Sequence, residues 1–158
     1  MADIVTQHNI GALVDAVYAS AAAAAVAAGS GDAATTTGKT IDRMALGSSM
    51  PRSALFSTLF DATLASGKTL AIAYAVQDSA DGTNWSDYQT SAAAKVVGTG
   101  PSGGGAVAGQ FNVQCDLNSA RRYVRFNSNQ DLNATGTDTS VTRSVAVLAG
   151  FDRLPSPN

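Results

Sequence analysis

The stretch KTLAIAYAVQDSADGTNWSDY, residues 68 to 88, decides how the rest of the chain is read. Leu70, Ile72, Tyr74 and Val76 fall on one face of an extended segment, and Thr69, Ala71, Ala73 and Ala75 on the other, because successive side chains of a strand point to opposite sides. Asp81-Gly82 offers the positive φ that a two-residue hairpin turn needs, and Trp85 and Tyr88 follow on the return strand. The spacing predicts an antiparallel hairpin. Its alanine face permits close approach of another layer, either a second sheet or a partner subunit.

Working outward, the period of two recurs. Leu55, Ser57 and Leu59 alternate with Phe56, Thr58 and Phe60; Phe111, Val113, Cys115 and Leu117 alternate with Asn112, Gln114 and Asp116; Val124 and Phe126 share one side of the segment 122 to 127. Residues 141 to 149 close the set. GTGPSGGGAVAG, residues 98 to 109, reads as a mobile connection, and 127 to 139 as a polar loop. Six to eight short strands with turn-rich connectors predict an all-β fold, an antiparallel β-sandwich, with jelly-roll topology one way of connecting it. The prolines of the terminal LPSPN exclude a continuing central strand there.

Residues 1 to 30 differ. Ile10, Leu13, Val14, Val17 and Tyr18 recur at spacings of three and four, which suits a short amphipathic helix, and the alanines at 21 to 25 favour helix further. An extended arm or first strand is the competing reading. The expected organisation is therefore an N-terminal arm over 1–30, helical or extended, and a β-sandwich domain over 31–158. The apolar run from 19 to 28 is shorter than the roughly 20 residues of a bilayer span, and no basic residue precedes it. Synthesis in the cytoplasm with no membrane step is the expectation.

A chain of 158 residues can bury a core without metal or disulfides, and 45% hydrophobic content supports one. Charged residues are only 14%, against the roughly 25% of ordinary soluble domains. The surface is thus rich in small and uncharged side chains, which cost little to desolvate against a neighbour. A net charge of −2 argues against direct nucleic-acid binding, which needs a basic face. Arg121, Arg122 and Arg125 form the closest thing to a basic cluster, and three arginines beside a strand suit ion pairs or a subunit contact. The single cysteine, Cys115, excludes an internal disulfide and reads as a buried core thiol.

Constellations that carry chemistry are lacking. Each of the two GKT triplets, at 38 to 40 and 67 to 69, lacks the glycine five positions earlier that a phosphate loop requires, Ala33 and Ala62 standing there instead. His8 is the only histidine, and no GxSxG elbow accompanies it. Asp78, Asp81 and Asn84 echo a calcium loop, but without its spacing or its bidentate Glu; turn chemistry at Asp81 and Gly82 is the plainer reading. No catalytic residue, cofactor or metal site is assigned, and the chain reads as non-enzymatic.

Four segments in order resemble a known family: TIDR at 40 to 43, VQDSADGTNWSDY at 76 to 88, RRYVRF at 121 to 126 and VAVLAGFDRLP at 145 to 155. The pattern is similar to that of small virion structural proteins of tailed bacteriophages, over roughly residues 38 to 155. The resemblance implies a capsid (head) decoration or cement protein. Such a protein is made in the host bacterial cytoplasm, binds the major capsid protein on the capsid exterior as a homo-oligomer, a dimer or trimer, and stabilises the head. Interaction residues then fall in the arm (Ile10, Leu13, Val14, Val17, Tyr18) and the arginine set (Arg121, Arg122, Arg125). Two alternatives stand beside it. One is a tail or head–tail joint protein; the other is a carbohydrate- or receptor-binding sandwich with Trp85 and Tyr88 as a stacking platform.

Overall fold

A computed structural model describes residues 11, 13–46, 49–134 and 136–150. Among the described residues ten strands run in the order β1 (Asp15–Val26), β2 (Thr35–Thr36), β3 (Ile41–Asp42), β4 (Ser53–Leu64), β5 (Thr69–Ser79), β6 (Ser86–Thr90), β7 (Lys95–Thr99), β8 (Gly105–Asp116), β9 (Tyr123–Leu132) and β10 (Thr139–Ala149). One sheet has the order β1-β10-β4-β8. In the other, β9 and β5 lie side by side, with β2 and β3 both on the free edge of β9 and β6 and β7 both on the free edge of β5. All pairings are antiparallel. If each broken edge counts as one strand, the eight-strand sheets read 1-8-3-6 and 2-7-4-5. That order is the jelly roll, two Greek keys folded into a two-layer sandwich.

Leu70, Ile72 and Val76 of β5 and Val124 and Phe126 of β9 are wholly buried between the layers, facing Phe56, Phe60 and Val113 of the other sheet. Full burial of each such side chain contributes roughly 1.5–3 kcal/mol. The Phe56 and Phe126 rings stack at 4.9 Å, and Tyr74 stacks on Phe126 at 5.9 Å, so the aromatic residues span both layers. Ala71, Ala73 and Ala75 therefore face away from the second sheet, on the outside of the molecule.

Residues 127 to 132, expected as loop, continue β9. Asn127, Ser128 and Gln130 are buried but satisfied, with Asp131 exposed: Gln130 Nε2 donates to the Ala23 carbonyl at 3.0 Å and Ser140 Oγ donates to Gln130 Oε1 at 2.9 Å. The glycine-rich stretch is likewise mostly strand, with only 100–104 between β7 and β8. Its glycines admit Phe60: a Cβ on Gly109 would lie 2.9 Å from Phe60 Cζ, and one on Gly98 3.3 Å from Phe60 Cε2. Low side-chain volume here marks close packing rather than mobility.

Residues 15–26, within the segment expected as an arm, form β1 at the edge of the four-stranded sheet. Of the two readings, helical or extended, these residues follow the extended one, because hydrogen bonding to β10 outweighs the weak local preference of alanine for helix. Ile10 lies outside the described residues, as do the residues of LPSPN.

Candidate functional site

Three of the four segments that carry the family resemblance meet at one end of the six-stranded sheet, and the described part of the fourth, residues 145–150, lies at the end of β10 in the other layer. Arg121, just before β9, donates from Nε and Nη2 to Asp78 Oδ1 at 3.0 and 2.6 Å, and its backbone N–H reaches Asp78 Oδ2 at 2.8 Å. Burial alone would raise the Asp78 carboxyl, but these hydrogen bonds and the guanidinium charge hold it below the usual carboxylate range. Arg122 forks onto both oxygens of Asp42 at 2.9 and 2.7 Å, which lowers the Asp42 carboxyl as well. It also lies over the Tyr123 ring at 4.9 Å. Arg125 stacks on Trp85 at 4.2 Å and donates to Gln77 Oε1 at 2.8 Å. All three arginines of the predicted cluster are thus engaged within the chain.

A fourth arginine, absent from the sequence-based set, anchors the same corner. Arg43 is 2% exposed, and Asp78 acts on it through its charge rather than through a hydrogen bond. Its guanidinium donates instead to the backbone carbonyls of Pro51 (2.6 Å), Leu117 (2.8 Å) and Arg121 (3.0 Å), and to that of Ala120. The planar fork of five donors is what lets one side chain satisfy four carbonyls. Burial lowers its pKa from the arginine value.

The Asp81-Gly82 turn differs from the expected two-residue hairpin. The connection between β5 and β6 runs over residues 80–85, and only Gly82 has positive φ, at 75°. The Asp81 carboxylate accepts the Thr83 and Asn84 backbone N–H groups, both at 2.8 Å, and Asn84 Nδ2 at 2.7 Å, which depresses its pKa strongly. Its lone pairs are occupied by the loop it organises. Among the described residues no group of three His, Cys, Asp or Glu could hold a metal ion. Cys115 is buried, and burial pushes its thiol up to about 11.

A second surface emerges on the outside of the four-stranded sheet. On β10 the inward residues Ser140, Thr142 and Ser144 are polar and buried, while Val141, Val145 and Val147 point outward. On β4 the outward set includes Leu55 and Leu59, and on β1 it includes Tyr18 and Val26. The buried hydroxyls pair among themselves, Thr58 with Ser144 at 2.9 Å, and Ser20 Oγ accepts the Ser144 N–H at 3.0 Å. Tyr18, Val26, Leu59 and Val141 are all more than 40% exposed, among outward neighbours that include Asp61, Arg143 and the polar row Gln110, Asn112 and Gln114 of β8.

No family model matches the chain, and no curated protein does. Two solved structures are similar in fold. One is of infectious bursal disease virus, Gx strain, at 13% identity and a TM-score of 0.48, covering 90% of this chain and 34% of that one. The other is the VP2 subviral particle of infectious bursal disease virus, at 15% identity and a TM-score of 0.46, covering 86% and 32%. The chain spans about a third of the length of each.

The predicted interaction residues divide between these surfaces. Tyr18 lies on the outer face of the four-stranded sheet with Lys39 Nζ 4.9 Å from its ring centroid; Val17 packs toward the core; Leu13 and Val14 are half-buried just before β1. The valines of β10 escaped sequence analysis, because apolar residues alternating with Ser and Thr read as a core-facing row, whereas on β4 the leucines alternate with Phe56 and Phe60 and the pattern leaves both faces apolar. Only the pairing register shows that the polar row is the buried one.

Proposed function

We propose that the chain is a non-enzymatic structural component of a tailed-phage particle, an oligomer that binds the outer surface of the head lattice built from the major capsid protein and braces contacts between capsomers. The observation that carries this reading is the outer side of the four-stranded sheet, where Tyr18, Val26, Leu59 and Val141 stand more than 40% exposed while the hydroxyls of Ser140, Thr142 and Ser144 are buried. A surface of that kind gains free energy only when something covers it.

Two further points support the reading. The segments that resemble phage virion proteins converge: Asp42 and Arg43, Asp78, and Arg121 and Arg122 interlock at one corner. They read as the scaffold of one sandwich rather than as scattered coincidences. Jelly rolls serve both capsids and lectins, and a fold by itself does not choose between them. The aromatic residues do bear on the choice. Arg125 covers one face of Trp85, and Tyr88 donates its hydroxyl to the Asp116 carbonyl at 2.7 Å, so neither ring is set out as an open sugar platform.

Residues 1–12 are the natural tether to the lattice, since 15–26 belong to the sandwich. The test is co-sedimentation of the purified chain with heads that lack it. Saturable binding to heads, lost on removal of residues 1–12 while the melting temperature is kept, is the expected result. No binding to heads, or binding to isolated tails instead, would overturn the reading; unchanged binding after the truncation would remove the tether role.

A further inference from the structure

We propose that the free edge of β8 is the contact between two copies of this chain, the two strands pairing antiparallel about a two-fold axis at Gly109. The lattice-binding reading supplies the role of such a pair, but the pairing itself does not depend on it.

The Leu117 N–H donates to the Arg52 carbonyl at 2.8 Å, one step beyond the β4–β8 ladder, in which Ser53 pairs with Asp116. The odd-numbered residues of β8 therefore turn their backbone groups toward β4, and the even-numbered ones turn theirs away. β8 is the last strand of its sheet, so among the described residues no strand covers that side. Two of the outward carbonyls are occupied: Gln114 accepts from Gln89 Nε2 at 3.1 Å, and Asp116 from the Tyr88 hydroxyl at 2.7 Å. Among the described residues no such donor reaches Ala106, Ala108, Gln110 or Asn112, all of them exposed.

The other three sheet edges are guarded. β1 carries two register shifts, and its Ala19 and Ala23 carbonyls accept the Lys39 N–H at 2.7 Å and Gln130 Nε2 at 3.0 Å. β9 is bordered by two strands of two residues each, and β5 by two of five residues that pair with register shifts. Short, bulged or capped edges are how a sandwich avoids adding a strand from another chain. β8 has none of these devices over its open part. It pairs with β4 along 12 residues without a shift, and residues 105–115 contain no charge and no proline.

The open segment fits its own reverse. An axis at Gly109 sets Ala106 opposite Asn112 of the other copy and Ala108 opposite Gln110, each pairing exchanging two hydrogen bonds. On the outward side a small residue then meets a longer one at every step. On the inward side Val107 meets Phe111, and Gly109 meets itself, so nothing obstructs the axis. A depression of about 370 Å³ beside Asn112 and Gln114 lies where Gly105 and Ala106 of the other copy would run, room for main chain with minimal side chains. Because the segment is uncharged, no like charges oppose each other across it. The two-fold arrangement also leaves neither β8 edge open to a third chain.

Sedimentation equilibrium of the full chain over a concentration series, without any particle, tests this. The wild type should pass from monomer to dimer and no further. Ala108→Pro removes an N–H that the single chain does not use, at an edge position where proline is tolerated, yet deletes a hydrogen bond on each side of the axis. It should weaken the dimer at least about tenfold while the circular dichroism of the fold is kept. Ala108→Lys leaves the main chain untouched and should do the same, by setting two ammonium groups close to the axis. The register is read by dipolar spectroscopy between nitroxides on single cysteines in a Cys115→Ala background. Strand geometry gives a separation of about 20 Å for Asn112→Cys and about 33 Å for Gln114→Cys. A wild-type monomer at every concentration, a trimer or larger ring, a dimer indifferent to both Ala108 variants, or spin distances that do not lengthen from 112 to 114 would each overturn the proposal. A monomeric chain whose head binding is abolished by Ala108→Pro would give the edge to a strand of the shell, overturning the dimer and sparing the functional reading. A dimer that binds no head would keep the pairing and remove that reading.

Discussion

Arg121 and Asp78, 43 residues apart in sequence, join the end of β5 to the entry of β9 through both the guanidinium and the backbone N–H of Arg121. The carboxylate is buried and the guanidinium partly open, with side-chain exposures of 8% and 41%. Losing either group leaves hydrogen-bonding capacity unmet at a site water reaches from one side only. Asp78→Ala should therefore lower stability by about 2 kcal/mol, and Arg121→Ala somewhat less, as measured by urea unfolding.

The same pair sets an acid dependence. The folded-state pKa values of Asp78 and Asp42 lie below the unfolded value of about 3.9, so their contribution is present above that pH and is lost as pH falls through the folded values. Unfolding free energy should decline below about pH 4. Asp78→Asn should flatten that limb. An identical acid slope in the variant would show that Asp78 titrates alike in both states.

Arg43 presents a different risk. Replacing it with Met keeps the volume but strips donors from the carbonyls of Pro51, Leu117, Ala120 and Arg121. Buried acceptors without donors should cost about 3 kcal/mol or more. Arg43→Lys should recover only part of this, since an ammonium cannot span the same four acceptors. Thermal unfolding that leaves Arg43→Met within a degree or two of wild type would contradict the assignment.

Close packing of glycine against Phe60 makes a fourth prediction. Gly109→Ala places a Cβ 2.9 Å from a ring already confined by Gly98, and should cost about 1–3 kcal/mol. Gly100→Ala should cost more, because its Cβ would meet the Ala65 carbonyl oxygen, main chain that cannot rotate away, at 2.0 Å. If both variants melt with the wild type, residues 98–109 are a loose loop after all.

Cys115 should be silent in the native protein. Its thiol is buried and its pKa is near 11, so thiolate is scarce at pH 8. Labelling by a disulfide reagent should follow global unfolding and accelerate with denaturant. Fast labelling in native buffer would mean that β8 opens locally.

Much of the fold was legible in the sequence because β5, β8 and the start of β9 keep an unbroken alternation: Leu70, Ile72 and Val76, then Phe111, Val113 and Cys115, then Val124 and Phe126, are the residues buried. The alternation fails where the core is polar. Asn127, Ser128 and Gln130 extend β9 into a region of internal hydrogen bonds that no hydropathy pattern announces, and Ser140, Thr142 and Ser144 reverse the facing of β10. The arginine cluster was visible as a cluster, but its partners, Asp42 and Asp78, lie 80 and 43 residues away and are set by topology.

The most direct test of the central claim is electron microscopy of the intact particle that carries this chain, with its density located. Jelly-roll density on the outer surface of the head, at repeating sites between capsomers, is the result predicted. Density confined to the tail or the head–tail joint, or particles that contain none of the chain, would contradict it.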